Sequence, residues 1–253
     1  MLFSETTKKI IFNQPKDLKE VIEHLKGFRF QEGDKSKIHE KFCLYIFLIG
    51  CFKISKLPFP IKIISTESPD FIFIEANKNK EIGIEHTRAT LESLKIAESE
   101  VKKHPKGSII ELCHYSPFEK LPKKKSDIGI IAPGDKLKGK GWDGDQAERE
   151  WAKIILNSIE RKVHLLNEGH FERKEENQLI IEDYSPVNFM KRENEAIDML
   201  KKKYNQTVFS EKSTFDKIHI FSNCTLIYDI FGEYLKVKFP EEKIAKFLQL
   251  TNH

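Results

Sequence analysis

The chain lacks most of the residues that mark extracellular, membrane or zinc-finger proteins. Its 253 residues hold four cysteines, Cys43, Cys51, Cys113 and Cys224, with no Cys-x-x-Cys pair. They read as reduced, mostly buried thiols of a cytosolic protein. The nine histidines fall into no zinc spacing, and His114, His164 and His170 read as ordinary polar positions. No Gly-x-Ser-x-Gly is present, and no cysteine sits in an evident catalytic setting, so a serine or cysteine hydrolase has little support. The most apolar segment, 42–52, is about eleven residues long, short of a membrane span. Residues 1–14 carry no long apolar run and no signal-peptide pattern. A cytoplasmic chain with no membrane partner is therefore expected. No internal repeat is visible.

What is present is charge of both signs. Lysine plus arginine total 43 and aspartate plus glutamate 39, a net charge of +4. Such a balance is no argument for nucleic acid by itself; the distribution decides. At 39% hydrophobic and 32% charged, the composition suits a folded protein with a charged surface. The length accommodates one large domain with a real core.

The informative stretch is Ser68-Pro69-Asp70-Phe71-Ile72-Phe73-Ile74-Glu75, a polar link over 76–80, then Glu81-Ile82-Gly83-Ile84-Glu85-His86-Thr87. Both halves alternate and are rich in β-branched and aromatic residues, which predicts a hairpin. In the second strand Ile82, Ile84 and His86 share one face and Gly83, Glu85 and Thr87 the other. A glutamate inside an apolar sheet is costly without a partner. Asp70 enters the first strand directly after a proline. If the strands pair, Asp70 and Glu85 converge, and two carboxylates with room for water suit a hard cation such as Mg²⁺.

At these residues the chain resembles the PD-(D/E)xK nuclease superfamily, whose pattern is Pro-Asp, a variable hairpin, then an acidic residue, any residue and lysine. Pro69-Asp70 and Glu85-His86 match; Thr87 stands where the lysine is expected. The resemblance implies a restriction-endonuclease-like fold over about 36–185, an α/β arrangement with a mixed central sheet between helices. It also implies a Mg²⁺- (or Mn²⁺-) dependent nuclease with DNA as its partner, and it leaves room for a homodimer. Asp70 and Glu85 would hold the metal, with Glu40 of the preceding helix as a third candidate ligand. Thr87 brings a hydroxyl but no positive charge to the lysine's place. The alternative is a catalytically degenerate member that binds nucleic acid or a protein partner without cutting.

The remaining elements follow from periodicity. Helices are predicted over 17–25, 36–50, 90–103, 145–166, 193–204 and 241–250, and strands over 59–67, 108–115, 178–184, 217–221, 225–230 and 234–239. The segment 186–253 reads as a C-terminal α/β extension of a single nuclease-like domain spanning 1–253. The helix at 36–50 is apolar nearly all round and should be buried. In the helix at 145–166, Asp145 and Glu148 resemble a capping box, and Gly169 a C-terminal stop. Its apolar stripe runs Trp151, Ile155, Ile159, Lys162, Leu166, so Lys162 falls on the core-facing side. A buried lysine needs a carboxylate or phosphate, unless it snorkels to the edge. Since some family members take the lysine's role from a neighbouring helix, Lys162 is the candidate to fill it. The loop 120–144, with Lys123, Lys124, Lys125, Lys136, Lys138 and Lys140 among glycines, is the candidate phosphate-binding segment.

Overall fold

The computed structural model describes residues 9–17, 35–110, 130–136, 143–185, 187, 192–207 and 214–241. Most of the helices expected at 17–25 and 241–250 lies outside the described residues. So do Lys123, Lys124, Lys125, Lys138 and Lys140; Lys136 is described and exposed.

The elements are β1 (Lys9–Phe12), α1 (Lys35–Lys53), β2 (Ile61–Ser65), β3 (Phe71–Glu75), β4 (Lys80–Ala89), α2 (Glu92–Val101), β5 (Ile109–Ile110), β6 (Ile130–Ile131), α3 (Gln146–Asn167), β7 (Glu176–Asp183), α4 (Glu193–Gln206), β8 (Lys217–Ser222), β9 (Thr225–Tyr228) and β10 (Leu235–Lys238). The class is mixed α/β. The chain divides into two compact units, one of residues 1–87, 161–182 and 209–253, the other of 88–160 and 183–208.

The first unit is built on an eight-stranded sheet in the order β1-β2-β3-β4-β7-β8-β9-β10. The β7–β8 pair is parallel; β1–β2, β2–β3, β3–β4, β8–β9 and β9–β10 are antiparallel. One face packs on α1. Phe42, Ile46, Phe47 and Cys51 of the helix join Ile63, Phe73, Ile84, Ile180, Leu226 and Tyr228 of the strands in one buried cluster. This is why α1 is apolar on nearly every side from Phe42 to Phe52. Within the cluster the imidazole of His219 lies 4.8 Å from the Phe47 ring and 4.7 Å from the Tyr228 ring. Its Nδ1 accepts the Asp229 N–H and its Nε2 faces Gln178 Oε1, both at 3.0 Å. Burial, with the Lys217 charge, pushes its pKa down to about 3, so the ring is neutral.

α1 crosses the sheet closely because it has a glycine at the contact. A Cβ on Gly50 would run into Cδ2 of Leu226, which is fully buried. Gly50→Ala would improve helix propensity by about 1 kcal/mol, but overpacking at a site with no slack costs about 1–3 kcal/mol. The expected outcome is a net loss of stability of about 1 kcal/mol, seen as a lower denaturation midpoint at unchanged slope. A raised midpoint would mean that α1 can back away from β9.

The second unit holds α2, the β5–β6 pair, α4 and residues 146–160 of α3. Trp151, fully buried, donates its indole N–H to Asp183 Oδ2 at 2.7 Å. The expected capping box of α3 does not form. Glu148 turns its carboxylate to the Arg192 N–H at 3.2 Å, and Asp145 pairs with Arg149 at 2.8 Å. A longer-range backbone donor competes here for the carboxylate that a local cap would use.

The far end of α3, in the first unit, stops at Gly169 as its sequence predicts. Gly169 has φ +75°, and the N–H groups of Gly169 and His170 reach back to the carbonyls of Leu166 and Leu165. That is the paired bonding of a Schellman stop, in which the positive φ favours glycine.

Candidate active site

The Pro69-Asp70 turn is held from several directions. The Thr66 N–H donates to the Asp70 carbonyl at 3.0 Å, and the Thr66 hydroxyl to the Pro69 carbonyl. Ser68 Oγ donates to the His170 carbonyl at 2.7 Å. Pro69 is buried against Gly83: a Cβ there would stand 3.3 Å from Pro69 Cγ, Lys174 Cγ and Asn177 Oδ1. The β3–β4 register pairs Phe71 with Ile84, so one step further Asp70 falls opposite Glu85. The Asp70 carboxylate accepts the His86 backbone N–H at 2.7 Å through Oδ2.

Glu85 and Thr87 leave β4 on the face opposite Ile84 and His86, toward the last turns of α3. Glu85 is 7% exposed. Lys162 donates its ammonium to Glu85 Oε1, and this is the partner that a lysine on an apolar helical stripe demands. Arg161, the residue before it, donates from Nη2 to the Thr87 hydroxyl at 2.9 Å. Thr87 therefore has a cation beside it without carrying one. Arg161 is exposed; from sequence it reads as one more charge on a solvated helix face, which is why only Lys162 is legible there.

Glu40, half-buried on α1, also acts on Asp70. Burial, then the Glu85 charge, raise the Asp70 carboxyl to about 7. The Glu40 charge adds to this, while the His86 N–H and Lys162 oppose it. The negative charges of Glu85 and Glu40 thus both act against the ionisation of Asp70. An all-oxygen donor set suits a hard divalent cation, whose charge would ease the ionisation of Asp70. Asp70, Glu85 and Glu40 are the residues that would hold such an ion.

This electrostatic tension has a measurable cost. Between pH about 4 and about 7 native Asp70 keeps a proton that the unfolded chain has already lost, so metal-free stability falls as pH rises through that window. Above it the full penalty stands. An asparagine in place of Asp70 would carry no charge, and its side-chain oxygen can still accept the His86 N–H. Asp70→Asn should therefore be more stable than wild type at pH 8 by about 1–2 kcal/mol, allowing for partial solvent screening at this half-buried group. The advantage should fade toward pH 5. Because two proteins are compared at each pH, His219 cancels. Thermal melts in chelator would show it; a lower melting temperature for the variant at pH 8 would mean that Asp70 is not under repulsion.

On the other face of β4, the His86 ring lies 3.8 Å, Nε2 to Oε2, from Glu182 of β7. Cys43 of α1 completes a buried group whose ligand atoms all lie within 4.8 Å of one another. Sequence reasoning finds none of this, since the three residues are far apart in the chain and meet only through the strand order. His164 and His170 are both exposed and flank Glu168, at 3.1 and 3.3 Å. Comparison with family models, with characterised proteins and with solved structures returns no match to this chain.

Proposed function

We propose that the chain is a Mg²⁺- or Mn²⁺-dependent nuclease acting on DNA, with a restriction-endonuclease-like core. The observation that carries this reading is the meeting of Asp70, raised to about 7, with a buried Glu85 that is itself bonded to Lys162. A structural hairpin has no need of two converging carboxylates with an ammonium beside them, whereas perturbed acids next to a cation recur at catalytic sites.

Each residue has a definite task. The His86 N–H fixes one oxygen of Asp70 and leaves the other to a ligand. Lys162 orients Glu85 and keeps a positive charge where a phosphodiester would gain negative charge. Arg161 holds the Thr87 hydroxyl, and its guanidinium presents further N–H groups suited to phosphate oxygens. A bound divalent ion supplies polarisation of the phosphate and a more acidic water. Lys162 thus stands in for the lysine that Thr87 replaces.

The test is direct. Purified protein incubated with linear and circular DNA should cut in Mg²⁺ or Mn²⁺ and not in chelator. Binding without scission across divalent ions and DNA forms would favour the non-cutting alternative, for which the observation is Thr87 at the motif's lysine position. Neither binding nor cutting would remove nucleic acid as the substrate.

A further inference from the structure

Behind the proposed nuclease face, Cys43, His86 and Glu182 come from three separate elements, α1, β4 and β7, and converge in the core. They are 1%, 8% and 5% exposed. We infer that these three side chains form a zinc site.

The donor set argues for the metal. Thiolate, imidazole and carboxylate are the three side-chain ligands that zinc takes, and a thiolate disfavours Mg²⁺ and Ca²⁺. With their ligand atoms within 4.8 Å of one another, small rotamer adjustments bring all three onto one ion. The charge balance suits the location. A thiolate and a carboxylate, each −1, offset Zn²⁺, and neutral imidazole adds nothing, so the assembled site is neutral in a core where a net charge would be costly. Cys43 releases its proton to solvent on binding. These side chains supply three of zinc's four positions, and the fourth would fall to a water. Cys51, on the same helix, is about 12 Å further along its axis at 1.5 Å per residue and takes no part. The consequence is mechanical: zinc would tie α1 to the two strands, and one of its ligands, His86, is also the residue whose backbone N–H holds Asp70. The site is separate from the Asp70/Glu85 pair and does not depend on a nuclease reading.

Metal analysis of the purified protein should find one equivalent of zinc, retained through dialysis. Cobalt-substituted protein should show a thiolate-to-cobalt charge-transfer band. Cys43→Ser should abolish the band and weaken zinc binding by more than about 100-fold, beyond the loss expected for an outer partner of a metal ligand, while Cys51→Ser keeps both. An Asp70→Asn/Glu85→Gln double variant, which keeps the shape of both side chains and an acceptor for Lys162, should keep the band. X-ray absorption on the zinc-loaded wild type should read a single sulfur with nitrogen and oxygen neighbours, a result that stands even if Cys43→Ser fails to fold. No bound zinc, no band, a band that survives Cys43→Ser, a band lost with Asp70 and Glu85, or a sulfur count other than one would each overturn the site.

Discussion

Asp70→Ala and Glu85→Ala should each lower DNA cleavage by about 10³-fold or more, a loss at or beyond that of one preorganised transition-state contact. The two carboxylates differ in what holds them, so the variants should differ elsewhere. Asp70→Ala removes an acceptor from the His86 N–H but also removes the group that resists ionisation, so its fold should survive well. Glu85→Ala leaves the Lys162 ammonium, 15% exposed, without its partner, and a cation stripped of its counter-charge in a half-buried place is destabilising. Glu85→Gln is the better control there, since it keeps the shape and an acceptor. DNA binding should persist in all three with its salt dependence, because phosphate contacts do not require the metal. Removing a negative charge can even tighten it. Cleavage assays run beside binding isotherms at several salt concentrations separate the two effects. A variant that cuts within about tenfold of wild type would deny that residue a role in the chemistry.

How much of the molecule is open to sequence reading depends on the range of each interaction. The hairpin at 71–89 is legible because alternation and the polar link are local. So is Lys162, because a charged residue on an apolar helical stripe is an anomaly within a single element, and the anomaly predicts a carboxylate. Glu85 as that carboxylate is the same anomaly seen from β4. Arg161 is not legible: it breaks no pattern. The Asp145 and Glu148 cap misleads because Arg192, remote in the chain, takes the Glu148 carboxylate. The Cys43, His86 and Glu182 cluster is beyond reach for a related reason. It exists only because β7 lies next to β4 in the sheet, and single-strand periodicity says nothing of strand order. The C-terminal strands read correctly as strands, yet nothing local announces that β8 pairs in parallel with β7 and extends the sheet of the hairpin.

Lys162→Ala should show whether the lysine is a structural counter-ion or part of the chemistry. Losing it leaves Glu85 buried and unpaired, and breaking one side of such a pair costs about 3 kcal/mol. A stability loss alone would therefore prove nothing about catalysis. Two further readouts do. Combining Lys162→Met with Glu85→Gln removes both charges together, so stability should largely recover in the double variant, the non-additivity expected of partners in contact. Cleavage should not recover. Mg²⁺ should also raise the melting temperature of Lys162→Ala by more than that of wild type, because the ion takes over the carboxylate that the lysine neutralised. In a folded sample of the single variant, cleavage should fall by about 10²–10³-fold, the loss expected when a preorganised positive group is taken from a developing negative charge. If the variant keeps cleavage within about threefold of wild type once Mg²⁺ has restored its stability, Lys162 only neutralises Glu85. The cation beside the reacting phosphate would then be Arg161, held 2.9 Å from the Thr87 hydroxyl at the position where the motif lysine would stand.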